Sequence, residues 1–475
     1  MTIKDKIKTD PGLQFVVENL ELMSSVGRRT LLSRQWKNSA KELETEYDNI
    51  ATAVRITQQL DNKHSYDDLR HRLMELHDIT GTLNNLKSHM VLDEVELFET
   101  KAFANIVSQA RRSAAELGLD TIHQLPDLGE VFNLLDPDRT GIANFYIYDS
   151  YDVRLTPLRK DLRALQTKLA NLSQDDKEYN EVAVRVSELL AAQNEIQNEV
   201  LTRLSEQLHP YHSKLLKAIE QMGYADLLLA LANQAIEWNL CRPQIGDSTK
   251  FSALVNPRLK QRNESAGLRY QPVDVDFNDG VTLVTGANMA GKTVLLKSIA
   301  TAQEMAQFGM YVPASMAVIS IVDDVYCSIG DEQDEMNGLS SFASEIIKIS
   351  TAIDLTANSR LLVLIDEPAR TTNPIEGKAL VQSLINIMES RPSPTIITTH
   401  YSQLGTACRR LRVRGFVETM ADVPLTAGNI NRFIDYSLVA DESDEAPHEA
   451  LRIAAILGCN SDLIERASEY IKDAE

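Results

Sequence analysis

The chain has 475 residues, 43% hydrophobic and 24% charged, with 48 Lys and Arg against 68 Asp and Glu and a formal net charge of −20. Such a length predicts two or three domains, and such a balance excludes a basic body built to neutralise many phosphates. Residues 1–240 hold 27 basic and 37 acidic side chains and residues 241–475 hold 21 and 31, so the exclusion applies to both halves. No apolar run approaches the roughly 20 residues of a membrane span. Met1–Asp10 lacks the apolar stretch of a signal peptide. Cys241, Cys327, Cys408 and Cys459 form no CxxC pair, so neither a disulfide framework nor a zinc ribbon is expected. A cytoplasmic protein with reduced thiols is predicted.

In chain order, the first 240 residues predict helix almost throughout. Leu13, Val16, Val17, Leu20 and Met23 recur at helical spacing, and further amphipathic stretches cover 41–60, 65–90 and 100–117. Leu155, Leu158, Leu162, Leu165 and Leu169 step by three and four, the rhythm of a coiled-coil seam. A turn is expected over 171–176, and Val182, Val186, Leu189, Ile196 and Val200 resume the pattern before Pro210. An antiparallel helical hairpin over about 152–208 follows, with arms of about 20 residues, or about 30 Å. On pattern alone, an ordinary pair of bundle helices fits as well.

After Trp238 the pattern changes. Short apolar runs at Val281–Thr285, Ala317–Ile321, Leu361–Ile365 and Thr395–Thr399 alternate with helical stretches. That alternation predicts an α/β domain with a mainly parallel sheet. The expected division is a helical domain over 1–240 and an α/β domain over 241–475. Asp441–Glu449 reads as a solvated acidic loop.

The chemistry of the α/β domain is concentrated at three strand ends. Thr282–Thr285 runs directly into Gly286-Ala-Asn288-Met289-Ala290-Gly291-Lys292-Thr293, and helix is expected from Val294. This is GxxxxGK[ST] in its strand–loop–helix setting, the phosphate loop of an ATP-binding protein. Its glycines let backbone N–H groups converge on phosphate, and the helix N-terminus adds partial positive charge. Lys292 is expected at the β- and γ-phosphates and Thr293 on Mg²⁺. Leu361–Ile365 ends in Asp366, a second Mg²⁺ holder acting through water, and Glu367, a candidate general base. Thr395–Thr399 ends in His400, placed to sense the γ-phosphate or position water. The 74-residue interval from Lys292 to Asp366 leaves no room for a long coiled-coil insertion, and no LSGGQ precedes Asp366.

Weaker constellations carry less. Asp136-Pro-Asp138-Arg-Thr140-Gly141 begins like a calcium loop but has Ile147 where a bidentate Glu is needed. His209 and His212 share a metal-like spacing without a third ligand. Arg409, Arg410, Arg412 and Arg414 read as the solvated side of a half-exposed strand, with an acidic-partner or DNA contact as the alternative.

The phosphate loop, Met305-Ala-Gln-Phe-Gly-Met-Tyr-Val-Pro-Ala314, Gly338-Leu-Ser340-Ser341-Phe342-Ala-Ser-Glu345, Asp366-Glu-Pro-Ala-Arg370 and Thr399-His400-Tyr401 together resemble the MutS family of ATPases. Glu18–Leu22 with Gly27-Arg-Arg, Leu135–Asp138, Gly223–Asp226 and Ala454–Ala467 extend the resemblance over almost the whole chain. It implies a helical core and lever followed by a P-loop ATPase, working as a homodimer with composite ATP sites. Ser340 would contact the partner's γ-phosphate and Glu345 would support that segment. Tyr270 is the candidate adenine platform.

The resemblance also carries departures. No mismatch-reading region with a Phe-x-Glu wedge is expected, because the one Phe-x-Glu, Phe416-Val-Glu418, falls in the ATPase half. A core and ATPase without the specialised ends is the expected organisation. Around the hairpin tip, residues 163–181 set Arg163, Lys168 and Lys177 against Asp175, Asp176, Glu178 and Glu181, which disfavours DNA. Ala290, Pro368 and Thr371 give the motifs the flavour of MutS-related ATPase subunits of reactivating factors. Those serve adenosylcobalamin-dependent aminomutases of the lysine or ornithine type. Such a resemblance implies an aminomutase and a small reactivase subunit as partners. A DNA-binding MutS-like protein of repair or recombination is the competing class, and a nucleotide-gated clamp with little turnover is the third.

Overall fold

The computed structural model describes residues 1–59, 62–119, 124–142, 144–173, 177–287, 290–330, 341–405, 407–416, 433–441, 451, 454 and 458–472. The helices of the first half are α1 (Ile3–Lys6), α2 (Pro11–Glu18), α3 (Ser25–Leu32), α4 (Ala40–Gln58), α5 (Lys63–Met74), α6 (Thr80–Lys87), α7 (Glu94–Glu116), α8 (Gly129–Leu134), α9 (Leu155–Ala170), α10 (Lys177–Leu208) and α11 (His212–Glu237). There follow β1 (Gln244–Ile245), β2 (Thr249–Leu254), α12 (Pro257–Ser265), β3 (Val273–Phe277), β4 (Gly280–Thr285), α13 (Lys292–Gln307), β5 (Met316–Ile319) and β6 (Asp324–Ser328). The rest are α14 (Ser341–Leu355), β7 (Leu361–Asp366), α15 (Pro374–Glu389), β8 (Pro394–Thr399), β9 (Arg409–Phe416), β10 (Ile434–Ala440) and α16 (Ser461–Lys472).

Two compact units result: residues 1–20, 34–51 and 233–475 form one, and residues 21–33 and 52–232 the other. This differs from the expected division at 240. The first helices belong with the α/β unit because their apolar faces are consumed there. Ile3, Leu13, Val16, Leu43, Tyr47 and Ile50 are fully buried. The Tyr47 hydroxyl donates to the Ala306 carbonyl at 2.8 Å, and Lys6 Nζ donates to Asp324 Oδ1 and the Val325 carbonyl, both at 2.8 Å. Helical periodicity reveals a buried face but not what covers it.

In the helical unit, the Asp226 carboxylate accepts from Met23 N–H at 2.9 Å and from Ser24 N–H and Oγ at 2.8 and 2.6 Å. It thereby anchors the start of α3, which Ser24 itself caps through Gly27 N–H. A Cβ at Gly27 would lie 2.1 Å from Asp226 Oδ2, so α3 and α11 meet at a contact only glycine allows. Lys101, fully buried, donates to Asp136 Oδ1 at 3.0 Å, to the Asn144 carbonyl at 2.8 Å and to Tyr148 Oη at 3.0 Å. Burial pushes against ionisation of Asp136, but Thr140, Gly141 and Lys101 together hold its carboxyl down to about 2. The calcium-like segment is thus a turn neutralised by lysine.

Helices α9 and α10 pack on one another through buried Leu162, Val182 and Val186, flanked by Leu165, Leu169, Leu172 and Leu189. All of these except Leu172 belong to the heptad reading. The return helix is longer than expected, 32 residues or about 48 Å. Of the turn expected over 171–176, residues 174–176 lie outside the described residues.

The α/β unit has two sheets. Six strands run β10-β9-β4-β8-β7-β6, with every pair parallel except β10 against β9. The other four run β1-β5-β2-β3. The run at Ala317–Ile321 therefore does not join the parallel sheet: its strand, β5, lies antiparallel to β2 in the smaller one. Leu283, Val363, Ile365 and Ile397 supply the core beneath α14 and α15 with Ile349, Val381, Leu384 and Met388. The apolar middles of β4, β7 and β8 anchor those strands, so their carboxyl ends become the fixed rim on which polar residues gather.

Candidate nucleotide site

Strand β4 lies between β8 and β9, paired residue by residue with β8 from Gly280 to Thr285. It delivers Gly286 at φ 149°, where a Cβ would stand 3.2 Å from Val413 Cβ. Gly291, at φ 78°, is the N-cap of α13, and a Cβ there would come within 3.0 Å of the Tyr436 ring. Both positions combine a left-handed backbone with a close neighbour, which is why the loop needs glycine at them. Asn288 and Met289 lie outside the described residues.

Lys292 opens α13 and is only 4% exposed. Its Nζ donates to the Gly286 carbonyl at 2.7 Å and the Ala287 carbonyl at 3.2 Å, and stands 3.1 Å from Glu367 Oε1. Thr293 Oγ1 donates to Asp366 Oδ2 at 2.5 Å, and Thr398 Oγ1 donates to Asp366 Oδ1 at 2.6 Å. The aspartate is therefore held between the phosphate-loop helix and the adjacent strand β8. Two hard oxygen donors from different elements meeting this closely fit Mg²⁺ and no soft metal.

Glu367 has φ 46° and Ala369 φ 60°. Two left-handed non-glycine residues flanking Pro368 store roughly 1–3 kcal/mol each. Glu367 N–H donates to the Thr398 carbonyl at 3.1 Å and to Thr398 Oγ1 at 3.0 Å. Arg370 Nη1 lies 3.5 Å from Glu367 Oε2. His400 follows β8 with its ring 4.4 Å from that of Tyr401. Loss of solvent around the imidazole pushes its pKa below 6.5; Glu367 opposes this, and the Lys292 and Arg370 cations reinforce it.

Beside the loop lies a cavity of about 230 Å³ whose walls include Tyr270, Ala290, Gly291, Val294, Val413 and Tyr436. The Tyr270 hydroxyl accepts from Asn256 N–H at 2.8 Å, which fixes its ring in that wall. Tyr436, on β10, was not singled out by the sequence; no motif surrounds it, and only the antiparallel return of β10 brings it to Gly291. Thr398 was also missed: it is one of three threonines in β8, and nothing local sets it apart. Ser340 lies outside the described residues. The Arg409–Arg414 run is on β9, where Arg409 pairs with Asp276 and Arg414 with Asp435.

A parallel sheet, a glycine-bracketed loop opening a helix, and Asp366 at the end of another strand define a P-loop nucleotide-binding unit. Residues 282–475 match the family model of MutS domain V. The chain is 35% identical over 222 residues to an endonuclease MutS2 of Thermus thermophilus, covering 46% of this chain and 28% of the relative. It is 29% identical over 287 residues to a DNA mismatch repair protein MutS of Methanosarcina barkeri, covering 59% and 31%. An endonuclease MutS2 of Caldanaerobacter subterraneus is 31% identical over 285 residues, covering 59% and 34%. The matched part of the chain spans about a third of the length of these curated relatives. Over its second half the chain is thus similar to MutS domain V and to proteins named MutS and MutS2. No described helix is long and apolar enough to cross a membrane.

Proposed function

We propose that the chain binds ATP at the loop 286–293 and hydrolyses it, and that the ATP cycle drives rearrangement of a dimer through composite sites. The observation that carries this reading is the convergence of Lys292, Thr293, Asp366 and Glu367 from two parallel strand ends, with Thr293 Oγ1 2.5 Å from Asp366 Oδ2. Thr293 and Asp366 would hold Mg²⁺, which when bound neutralises charge developing on the phosphates. Lys292 binds the β- and γ-phosphates. Glu367 orients a water for attack on the γ-phosphorus and accepts its proton as the bond to ADP breaks. His400, whose pKa is pushed below 6.5, would accept a hydrogen bond from that water. The cavity bounded by Tyr270 and Tyr436 receives the adenine, and Ala290, Gly291 and Val294 lie along it.

What the cycle acts on has two readings. DNA is the first, supported by relatives whose names are a mismatch repair protein and an endonuclease. The second is a protein partner, with an adenosylcobalamin aminomutase as the proposed case; it is favoured by the net −20 charge and by the acidic balance of residues 163–181. An acidic arm gains little from counterion release. One comparison tests the pair: ATP turnover of the full chain with branched or duplex DNA against turnover with inactivated aminomutase. Salt-sensitive stimulation by DNA supports the first reading; stimulation by the aminomutase alone supports the second. Negligible turnover with both, alongside tight ATP binding, indicates a nucleotide-gated clamp.

A further inference from the structure

The segment after Asp366 is held from three sides at one residue, Ala369. From α14, Glu345 Oε1 accepts the Ala369 N–H at 2.7 Å. From the end of β8, the Tyr401 hydroxyl donates to the Ala369 carbonyl at 2.9 Å. From α15, Gly377 leaves the space that Tyr401 occupies: a Cβ there would stand 2.2 Å from Tyr401 Oη and 3.0 Å from the Ala369 carbonyl oxygen. Ala369 is itself in the left-handed region at φ 60°, two residues from Glu367 at φ 46°. A left-handed alanine persists only where surrounding bonds over-determine it.

Resting on the ATPase reading above, we infer that Glu345 and Tyr401 are positioning residues for hydrolysis. They grip Ala369 on both of its backbone polar groups, keep the Glu367–Ala369 turn left-handed, and so aim the Glu367 carboxylate into the volume in front of Lys292. Both of these bonds run to the turn after Asp366 and not to the phosphate loop. Their loss therefore leaves nucleotide binding in place and disorients the carboxylate that acts on water. Because Tyr401 directly follows His400, one strand end sets both water-facing groups. Gly377 is required as the space for the Tyr401 hydroxyl and not for its backbone freedom.

The test measures kcat, KM and fluorescent-ATP affinity of the full chain in Tyr401→Phe, Glu345→Ala, Glu345→Gln and Gly377→Ala, each with and without Ala369→Gly. Tyr401→Phe and Glu345→Ala should lower kcat roughly ten- to hundredfold, with ATP affinity kept within about twofold. Glu345→Gln retains a carbonyl acceptor and should keep most of kcat. Gly377→Ala favours the helix yet displaces the hydroxyl, so its kcat should fall without loss of thermal stability. Ala369→Gly adopts φ 60° without strain and should restore part of the lost kcat. Unchanged kcat in Tyr401→Phe and Gly377→Ala overturns the inference, as does a parallel fall in affinity with no rescue by Ala369→Gly. If the parent chain hydrolyses ATP and Lys292→Ala does not, the ATPase reading stands whatever these variants do.

Discussion

Lys292 and Glu367 stand 3.1 Å apart, an ammonium from the phosphate loop beside a carboxylate that follows β7, the strand on the far side of β8. The lysine is also tied to two loop carbonyls, so its position is fixed by the loop and not by the glutamate alone. A cation suited to phosphate and an anion suited to polarising water thus address one small volume, as the proposed attack on a terminal phosphate would require.

Lys292→Ala should weaken ATP binding by roughly a hundredfold, on the order of 3 kcal/mol, because a charge-assisted contact and its buried charge are lost together. Equilibrium titration with a fluorescent ATP analogue measures this. Affinity within a few-fold of the parent chain would contradict the phosphate-loop assignment.

Glu367→Gln keeps the size and removes the base. Hydrolysis should fall by about 10²–10⁴ while ATP binding persists, so the variant should accumulate in an ATP-bound dimer. Single-turnover kinetics and light scattering with ATP·Mg²⁺ read the two effects. Normal turnover would remove Glu367 from its proposed role.

Tyr436→Ala should cost roughly tenfold in affinity for ATP, as expected for loss of one aromatic wall, and should leave inorganic tripolyphosphate binding unchanged. Tyr270→Phe should be milder, since the ring stays and only the bond from Asn256 N–H is lost. Competition binding separates base from phosphate contributions; equal losses for both ligands would place Tyr436 at the phosphates instead.

His400 takes up its proton below 6.5 in the fold and near 6.5 in the unfolded chain. Between those two points the unfolded state binds more protons. Acidification through that window therefore destabilises the fold, and above it His400 contributes no pH dependence. Urea midpoints at pH 7.5 and pH 5.5 should drop more in the parent chain than in His400→Gln. Equal drops would show that the imidazole titrates normally.

Gly27→Ala should destabilise the helical unit by about 1–3 kcal/mol, because the new methyl would be driven into Asp226, which cannot move without releasing Met23 and Ser24. The urea midpoint of the folded chain measures it, and an unchanged midpoint would show that α3 has room to shift.

Much of the site was legible in the sequence. Gly286, Lys292, Thr293, Asp366, Glu367 and His400 stand at fixed offsets from apolar runs, and a short apolar run ending in a polar group says where a strand stops. The heptad leucines named the α9–α10 seam for the same reason: periodicity is local. The partners of those residues were not legible. Thr398 grips Asp366 from 32 residues away, and Tyr436 reaches Gly291 from 145 away along a strand with no motif.

By itself, the sequence determined which residues are the candidates for phosphate chemistry, where most helices and core strands run, and that both halves of the chain are acidic. Only the tertiary structure decided that the first helices bury themselves in the α/β unit, that the Ala317 strand leaves the parallel sheet, and that Ala369 is gripped from α14 and β8. Spacing along a chain encodes the period of an element and the chemistry of a turn. Which buried faces meet is set by shape and hydrogen-bond satisfaction over long sequence distances, and no local pattern records it.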